Sequence, residues 1–291
     1  MRTGVALGDS AVVTATGVRR DLRRTVPALL RACHPEPTAG VTSVFGLLAL
    51  TAGAGWRTVP VVLAVGANQL SIGWDNDALD AERDRRAGRT DKPAAAGAVS
   101  PRLVRRAAVL AATACVPLSA SLGWRAALAN LTCVGAGWAY NHGLKATRAS
   151  PVPYLVGFGA LAAVVPLAVG VRVPAWLVAA GSLLGAAAHF ANVVPDIEVD
   201  LSDGIHGLPQ RLGAGRSRAA FAGLLVSASS VLAFGPGGGA VGLTVVVVAA
   251  GVVLAGVLAA RRPGSRALFR SAIVVAVLDV VLLVVSGGSV R

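Results

Sequence analysis

Residues 76–84 read Asn76-Asp77-Ala78-Leu79-Asp80-Ala81-Glu82-Arg83-Asp84 and follow directly on a long apolar segment. On a helix, Asn76, Asp80 and Asp84 are spaced four apart, so they form one column of oxygen-bearing side chains. Carboxylates stacked in this way repel one another unless a cation lies among them. Such a column suits Mg²⁺, which binds oxygen ligands and keeps water and substrate phosphate as its remaining ligands. Taken alone, the stretch would favour the simpler interpretation of a solvated, charged helix end.

The same spacing recurs further along the chain. Residues 192–200 read Asn192-Val193-Val194-Pro195-Asp196-Ile197-Glu198-Val199-Asp200, again at the end of an apolar segment. All but four of the 14 Asp and Glu residues lie in or beside these two stretches. Carboxylates close to hydrocarbon are costly, so they are normally retained for function. The repeat therefore indicates a site that binds metal, and a helical bundle could bring the two columns face to face around one cavity.

The composition indicates a membrane protein. The 291-residue chain is 55% hydrophobic and only 14% charged, which is too apolar for an ordinary soluble domain. Apolar segments of the length that crosses a bilayer recur from end to end. We place nine of them at residues 38–55, 58–75, 101–121, 124–141, 152–170, 174–192, 217–235, 240–260 and 267–286. The sequence thus predicts an all-α, polytopic bundle of nine transmembrane helices.

The charges of the loops predict how this bundle is oriented. If the N-terminus is cytoplasmic, all but four of the 27 Lys and Arg residues lie in cytoplasmic segments, and the exceptions are Arg57, Arg125, Arg172 and Arg291. Cytoplasmic loops are enriched in Lys and Arg, so this split fixes the orientation. It also explains the net charge of +13 without a nucleic-acid partner. Both acidic columns should then face the cytoplasm from a multi-pass protein of the cell membrane.

The two ends of the chain differ in character. Residues 1–24 are polar and arginine-bearing, and they lack the apolar run and small-residue cleavage site of a signal peptide. We expect them to form a disordered cytoplasmic arm, and residues 25–291 to form the membrane domain. Cys33, Cys115 and Cys133 share no motif, so we expect small core residues and neither a disulfide framework nor a cysteine metal site.

An allylic diphosphate would suit two metal-binding columns that open onto an apolar chamber. Metal ions and basic residues neutralise a departing diphosphate, so its bond to carbon can ionise. The resulting carbocation must be kept from water, which a pocket inside a membrane protein achieves. The sequence contains no catalytic Ser-His-Asp motif and no glycine-rich nucleotide loop that would support another chemistry.

These motifs resemble the UbiA superfamily of intramembrane prenyltransferases. The resemblance is carried by Asn76-Asp77-x2-Asp80-x3-Asp84, Arg89-Thr90-x-Lys92-Pro93 with Gly97, Tyr140-x4-Lys145, Asn192-x3-Asp196-x3-Asp200 and Gly207-Leu208-Pro209-x-Arg211-Leu212-Gly213. It implies nine helices around a central cavity and a diphosphate bound through Mg²⁺. The implied metal ligands are Asn76, Asp80, Asp84, Asn192, Asp196 and Asp200, of which the four aspartates would be catalytic. The implied diphosphate contacts are Asn76, Asp77, Arg89, Lys92, Tyr140, Lys145, Asn192 and Arg211.

Other polar residues have two interpretations each. Asn68 lies two helical turns before Asn76, and His189 lies three residues before Asn192. Either could reach an acceptor in the cavity, and either could equally form hydrogen bonds between helices. His34 is interpreted as an interfacial residue. Asp279 is the one acid deep in a predicted span outside the motifs, with a role in packing or in function.

The predicted activity is Mg²⁺-dependent transfer of a prenyl group from a polyprenyl diphosphate to an acceptor. By analogy with relatives, an aromatic or quinone-precursor ring is the first choice of acceptor, although aromatic residues make up only 4% of the chain. The alternatives are an intramolecular terpene cyclase and transfer to a sugar or glycerol phosphate. Many relatives carry a basic residue just after the second motif, where residues 201–206 offer only His206. A transporter is disfavoured because the acids lie at one face of the membrane rather than through its depth.

Overall fold

The computed structural model describes residues 25–235, 239–262 and 265–285. The predicted N-terminal arm at residues 1–24 lies outside them. Throughout the described residues the regular structure is helical, without a β-strand. The predicted all-α class is therefore confirmed for this part of the chain.

The described residues form twelve α-helices joined by short turns. They are α1 (25–32), α2 (Pro35–Thr51), α3 (Thr58–Arg86), α4 (Pro101–Ala120), α5 (Trp124–Asn141), α6 (Val152–Ala162), α7 (Val164–Val169), α8 (Ala175–Val193), α9 (Ile197–Ser202), α10 (Leu208–Phe234), α11 (Gly239–Ala259) and α12 (Ala267–Val285). Each predicted apolar segment coincides with one of the longer helices, except that the fifth is divided between α6 and α7.

Five helical stretches among the described residues are long and apolar enough to cross a membrane. They are Pro101–Ala120, Val152–Val169, Ala175–Ser202, Leu208–Phe234 and Gly239–Ala259. Helix α3 differs from its predicted segment because it does not end at residue 75 but continues to Arg86 through the whole first acidic stretch. The first column is thus built on the same rigid helix that precedes it.

Two glycines allow α3 and α8 to pack closely against neighbouring segments. Gly73 of α3 lies against the backbone carbonyl of Cys33, and a Cβ added at this position would overlap that carbonyl. Gly185 of α8 lies in the same way against the backbone carbonyl of Tyr154. Because only glycine allows backbones to approach so closely, these two positions set where α3 and α8 lie relative to their neighbours.

Candidate active site

The aspartates of the first acidic column are buried, and its first two members are hydrogen-bonded to each other. Asp77, Asp80 and Asp84 are all buried on α3. The side-chain amide Nδ2 of Asn76 donates to Oδ2 of Asp80 at 3.1 Å. The predicted spacing therefore does place the first two members of the column, Asn76 and Asp80, in contact.

Cations lie around this column, where they offset the repulsion between carboxylates on one helix face. Asp80 accepts hydrogen bonds from Lys145 and from Arg83, the latter at 3.0 Å. The Lys92 ammonium lies 3.5 Å from Oδ1 of Asp77. Two of the cations predicted to contact diphosphate, Lys92 and Lys145, are thus paired with first-column carboxylates in the ligand-free chain.

The second stretch does not form a continuous helical column. Helix α8 ends at Val193, a 3₁₀ turn spans Val194–Asp196, and α9 begins at Ile197. Pro195 lies at this break, where its missing N–H and its ring prevent regular helical hydrogen bonding. Beyond the break, Gln210 of α10 donates from Nε2 to Oδ2 of Asp200 at 2.8 Å.

Two ion pairs join the acidic stretches. Arg89, which follows the first stretch, lies 3.5 Å from Oδ1 of Asp196 in the second. Arg83 of the first stretch lies 3.8 Å from Oδ2 of Asp203, just beyond the second. The two stretches therefore face each other at one end of the bundle, although they are more than a hundred residues apart in the chain.

A cavity of about 430 Å³ opens between them. Its polar end is lined by His34, Gln69, Asn76, Tyr140, Asn141 and Asn192. The rest is apolar and extends between the helices as far as Leu177. Asn192 and Leu177 are fifteen residues apart on α8, which at 1.5 Å per residue is about 22 Å along the helix. The cavity thus has a polar head beside both motifs and a long apolar body.

Of the predicted site residues, Asn76, Tyr140 and Asn192 line this cavity. The four predicted catalytic aspartates, Asp77 and the predicted diphosphate cations are not part of the lining, and neither are Asn68 and His189. Asn68 is buried and donates from Nδ2 to Oδ1 of Asn130 at 2.8 Å, which favours its alternative interpretation as a contact between helices. His189 is buried with Nε2 at 3.1 Å from Oγ of Ser150. Arg211 is exposed and donates from Nε to the backbone carbonyl of His206 at 2.7 Å.

Both tyrosines of the chain lie at the polar end of the cavity. Tyr140 and Tyr154 make an edge-to-face contact, with ring centroids 5.1 Å apart. The ring of His189 packs against both, with its centroid 5.5 Å from that of Tyr140 and 5.0 Å from that of Tyr154. The three rings therefore form one cluster beside the polar end of the cavity.

His34 is a cavity residue that the sequence interpretation missed. Its Nε2 lies 3.1 Å from the Lys92 ammonium, and its backbone has the left-handed φ of 56°. Shielding from water and the adjacent Lys92 charge lower the pKa of His34 to about 3, so the ring is neutral at physiological pH. Its proximity to Lys92 could not be inferred from the sequence, because the two residues lie in different loops.

Burial and charge shift the acids of the first stretch in opposite directions. Burial raises the pKa of Asp77 and of Asp84, which follow the predicted membrane span at residues 58–75. The hydrogen-bonded guanidinium of Arg89 lowers the pKa of Asp91, and Asp91 in turn raises the pKa of Arg89. For Asp77 and Asp84, the effect of burial on the pKa therefore outweighs the opposing effect of the Lys92 ammonium.

The donor set fits a divalent ion that is shared with a ligand. Within the described ranges, His, Cys, Asp and Glu side chains form no group of three or more that could hold a metal alone. Both carboxylate oxygens of Asp77 are buried without a hydrogen-bond partner. Oxygen ligands divided between two facing stretches suit Mg²⁺, which completes its shell with water and substrate phosphate. The residues present therefore fit Mg²⁺ bound together with a diphosphate.

Comparison with protein families and solved structures agrees with this arrangement. Residues 39–278 match the UbiA prenyltransferase family. A comparison with curated protein sequences found no significant match. The family match covers both acidic stretches and the helices that carry them.

Three solved structures of the same fold each align with most of this chain. The apo structure of a UbiA homologue from Aeropyrum pernix K1 has a TM-score of 0.68 and 22% identity, over 87% of this chain and 98% of that one. A UbiA homologue from Archaeoglobus fulgidus, solved with GPP and Mg²⁺, has a TM-score of 0.66 and 17% identity, over 89% and 99%. A digeranylgeranylglyceryl phosphate synthase has a TM-score of 0.63 and 15% identity, over 91% and 98%.

These structural similarities are at low identity and establish the fold. The family match extends over most of the chain and includes both acidic stretches. The chain therefore belongs to the UbiA prenyltransferase family, as its paired motifs predict, and is a membrane-embedded prenyltransferase.

Proposed function

We propose that the chain binds a polyprenyl diphosphate with Mg²⁺ between its two acidic stretches and transfers the prenyl group to an acceptor. The observation that carries this proposal is the pairing of Arg89 with Asp196, which joins two stretches whose first residues, Asn76 and Asn192, line the polar end of an apolar cavity. A diphosphate head and an isoprenoid tail match that division into polar and apolar parts. The homologue from Archaeoglobus fulgidus, solved with GPP and Mg²⁺, supports the same class of donor.

The diphosphate would be held by oxygen ligands and by freed cations. Asn76, Asp80, Asp84, Asn192, Asp196 and Asp200 would bind Mg²⁺, which when bound would neutralise charge on the leaving diphosphate. Lys92, Lys145 and Arg89 are each paired with a carboxylate in the ligand-free chain. With Asp80 and Asp196 engaged by the metal, Lys145 and Arg89 would be free to donate to diphosphate oxygens, and Lys92 would donate from its place beside Asp77.

The prenyl tail would lie in the apolar body of the cavity. Its walls exclude water from the allylic carbon, so that a carbocation is not quenched before the acceptor attacks. The faces of Tyr140 and Tyr154 at the polar end offer π density to the developing positive charge. These side chains would orient and protect the reacting carbon without themselves forming a bond to it.

In the membrane, we propose nine transmembrane segments with the N-terminus and the active-site loops in the cytoplasm. The apolar segments coincide with helices, and α3 and α8 carry both acidic stretches at the end of the bundle where the basic loops concentrate. Residues 25–291 would form this domain, with residues 1–24 as a cytoplasmic arm. Mg²⁺ and soluble substrates would then reach the site from the cytoplasm.

The acceptor class follows from analogy. An aromatic or quinone-precursor ring is the first choice. Transfer to a glycerol phosphate is an alternative because of the synthase of similar fold, and cyclisation without an acceptor is an alternative because the body of the cavity is apolar.

The test is product analysis with purified, detergent-solubilised protein. Allylic diphosphates of two, three and four isoprene units are supplied with Mg²⁺ or with EDTA, alone and with an aromatic acid, a sugar phosphate or glycerol phosphate. We expect Mg²⁺-dependent diphosphate release and a prenylated aromatic product by mass spectrometry. A hydrocarbon released from donor alone would establish the cyclase instead. A folded protein that releases no diphosphate under any of these conditions would refute the proposed function.

A further inference from the structure

A buried carboxylate lies beside the first column but outside its motif. Asp75 precedes Asn76 on α3, and it is fully buried. Successive residues of a helix point in different directions, so Asp75 faces α4 and α5 rather than the second acidic stretch. Buried polar groups are normally hydrogen-bonded, so the hydrogen-bond partners of this carboxylate indicate its role.

The partner on the cavity side is Asn141, the last residue of α5. Its side-chain amide Nδ2 donates to Oδ2 of Asp75 at 3.0 Å and to the backbone carbonyl of Ile72 at 3.1 Å. An amide group has two N–H donors, and both are used by these bonds. They fix the orientation of the amide, so that its oxygen Oδ1 must point the other way.

That oxygen faces the first motif. Oδ1 of Asn141 lies 3.4 Å from Nδ2 of Asn76, whose other N–H is directed to Asp80. With both N–H donors of Asn76 occupied, its amide oxygen is the group left to bind a cation. If the oxygen and nitrogen of the Asn141 amide exchanged places, its N–H groups would face those of Asn76. Asn76 would then lose the hydrogen bond that it donates to Asn141.

Asp75 is itself held from the opposite side by surface groups. Its Oδ1 lies 3.4 Å from Nη1 of Arg105 and 3.3 Å from Nε2 of His142. Arg105 also lies over the ring of Trp138, 5.5 Å from the ring centroid. The two carboxylate oxygens of Asp75 therefore have different partners. Oδ1 contacts Arg105 and His142, and Oδ2 accepts the hydrogen bond from Asn141.

We propose that Asp75 is a positioning residue, which fixes the Asn141 amide and through it directs the Asn76 oxygen toward Mg²⁺ and diphosphate. This inference rests on the proposed function. Partners of a metal ligand in its outer shell orient the ligand and are typically worth about tenfold to a hundredfold in affinity.

The experiment measures binding without turnover. The full chain in detergent is titrated with inorganic diphosphate in the presence of Mg²⁺ by calorimetry, and its melting temperature is recorded in parallel. We expect Asp75→Ala to bind Mg²⁺–diphosphate about tenfold or more weakly. Asp75→Asn retains an oxygen that can accept from Asn141, so it should restore most of the affinity.

A control and a double variant separate positioning from packing. Ser71 of α3 accepts a hydrogen bond from Nε1 of Trp138 at 3.0 Å, so Ser71→Ala removes a comparable contact between α3 and α5 without touching Asn141. We expect it to lower the melting temperature and leave diphosphate affinity unchanged. If Asp75 acts through Asn141, the Asp75→Ala/Asn141→Ala pair should bind no more weakly than Asn141→Ala alone.

The outcomes distinguish this inference from the proposed function. Wild-type protein that does not bind Mg²⁺–diphosphate would overturn both. Wild-type binding that Asp75→Ala leaves unchanged, or effects of the two substitutions that add in full, would overturn only the role of Asp75.

Discussion

The two acidic stretches have the same spacing of Asn and Asp but different structures. In the first, Asn76 to Asp84 continue α3 without interruption. In the second, Pro195 ends the regular helix, so Asn192 lies on α8 and Asp200 on α9. The spacing alone therefore does not determine whether the residues share one helix face.

Their environments differ as well. The side chain of Asp80 is 11% exposed and contacts Arg83 and Lys145, whereas that of Asp196 is 42% exposed and contacts Arg89. Arg89 belongs to the loop after the first stretch, so the second stretch depends on the first for this cation. The comparison indicates a pre-formed half-site and a more open half-site that completes it.

The largest effect is expected at Asp80, where charge, burial and two cations coincide. Asp80→Asn removes the charge while keeping the shape, and we expect kcat/KM for the donor to fall on the order of 10²–10³-fold. Glu82→Gln is the matched control, because Glu82 is exposed and pairs with Arg85 away from the site. Steady-state kinetics that show equal losses in both variants would contradict the role of the column.

Substitution of Asp196 should reduce activity less than substitution of Asp80, which occupies the matching position in the first stretch. Because it is more exposed and contacts a single cation, we expect Asp196→Asn to lower kcat/KM about ten- to a hundredfold. Glu198→Gln, on the exposed side of α9, serves as its control. A loss at Asp196 greater than the loss at Asp80 would reverse the proposed division between the half-sites.

Pro195 tests whether the break in the second stretch matters. Pro195→Ala restores an N–H and removes the ring, so the α8 helix can extend and rotate Asp196 away from Arg89. We expect about a tenfold loss of kcat, since misplacement of a binding group by about 1 Å is costly, with no fall in melting temperature. Unchanged kcat would show that the break is incidental.

Substitution of a glycine that positions a half-site should have a smaller effect, which is on stability. Gly73→Ala places a methyl group against the Cys33 carbonyl, and we expect about 1–3 kcal/mol of destabilisation from overpacking. Gly135 of α5 has open space at its Cβ position, so Gly135→Ala should be neutral or slightly stabilising. Thermal unfolding in detergent measures both. Equal melting temperatures for the two variants would argue against the close approach at Gly73.

The smallest effect concerns pH. Burial raises the pKa of Asp77 and Asp84, so their protonated forms stabilise the ligand-free fold at low pH, and this contribution is lost as pH rises through the raised values. Asp91 behaves oppositely, because its contribution is present above the ordinary pKa of about 3.9 and is lost as pH falls through its lowered pKa. Mg²⁺ competes with protons for the column, so it should raise the melting temperature more at about pH 7.5 than at about pH 5. An equal rise at both values would indicate that Mg²⁺ does not bind these carboxylates.

Much of this architecture could be predicted from the sequence. Long apolar segments predict helices because a helix satisfies its own backbone hydrogen bonds in lipid. The Asn-x3-Asp-x3-Asp repeat identified the two stretches that face each other at one end of the bundle. The bond between Asn76 and Asp80 follows directly from helical spacing.

Other features depend on tertiary contacts that no local pattern encodes. The spacing of the second stretch favoured a column, but Pro195 prevails over it locally. His34 reaches Lys92, and Asn141 reaches Asp75, only because separate helices pack together. The signals available were the position of Asn141 beside Tyr140 and an aspartate immediately before the motif, and neither specifies a partner.

The most direct test is whether the two stretches bind one diphosphate together. Calorimetric titration of the detergent-solubilised chain with Mg²⁺ and inorganic diphosphate gives the stoichiometry and affinity for wild type, Asp80→Asn and Asp196→Asn. We expect one diphosphate per chain in the wild type, together with weakened binding in both variants and the larger loss at Asp80. Wild-type affinity in either variant would contradict a shared site.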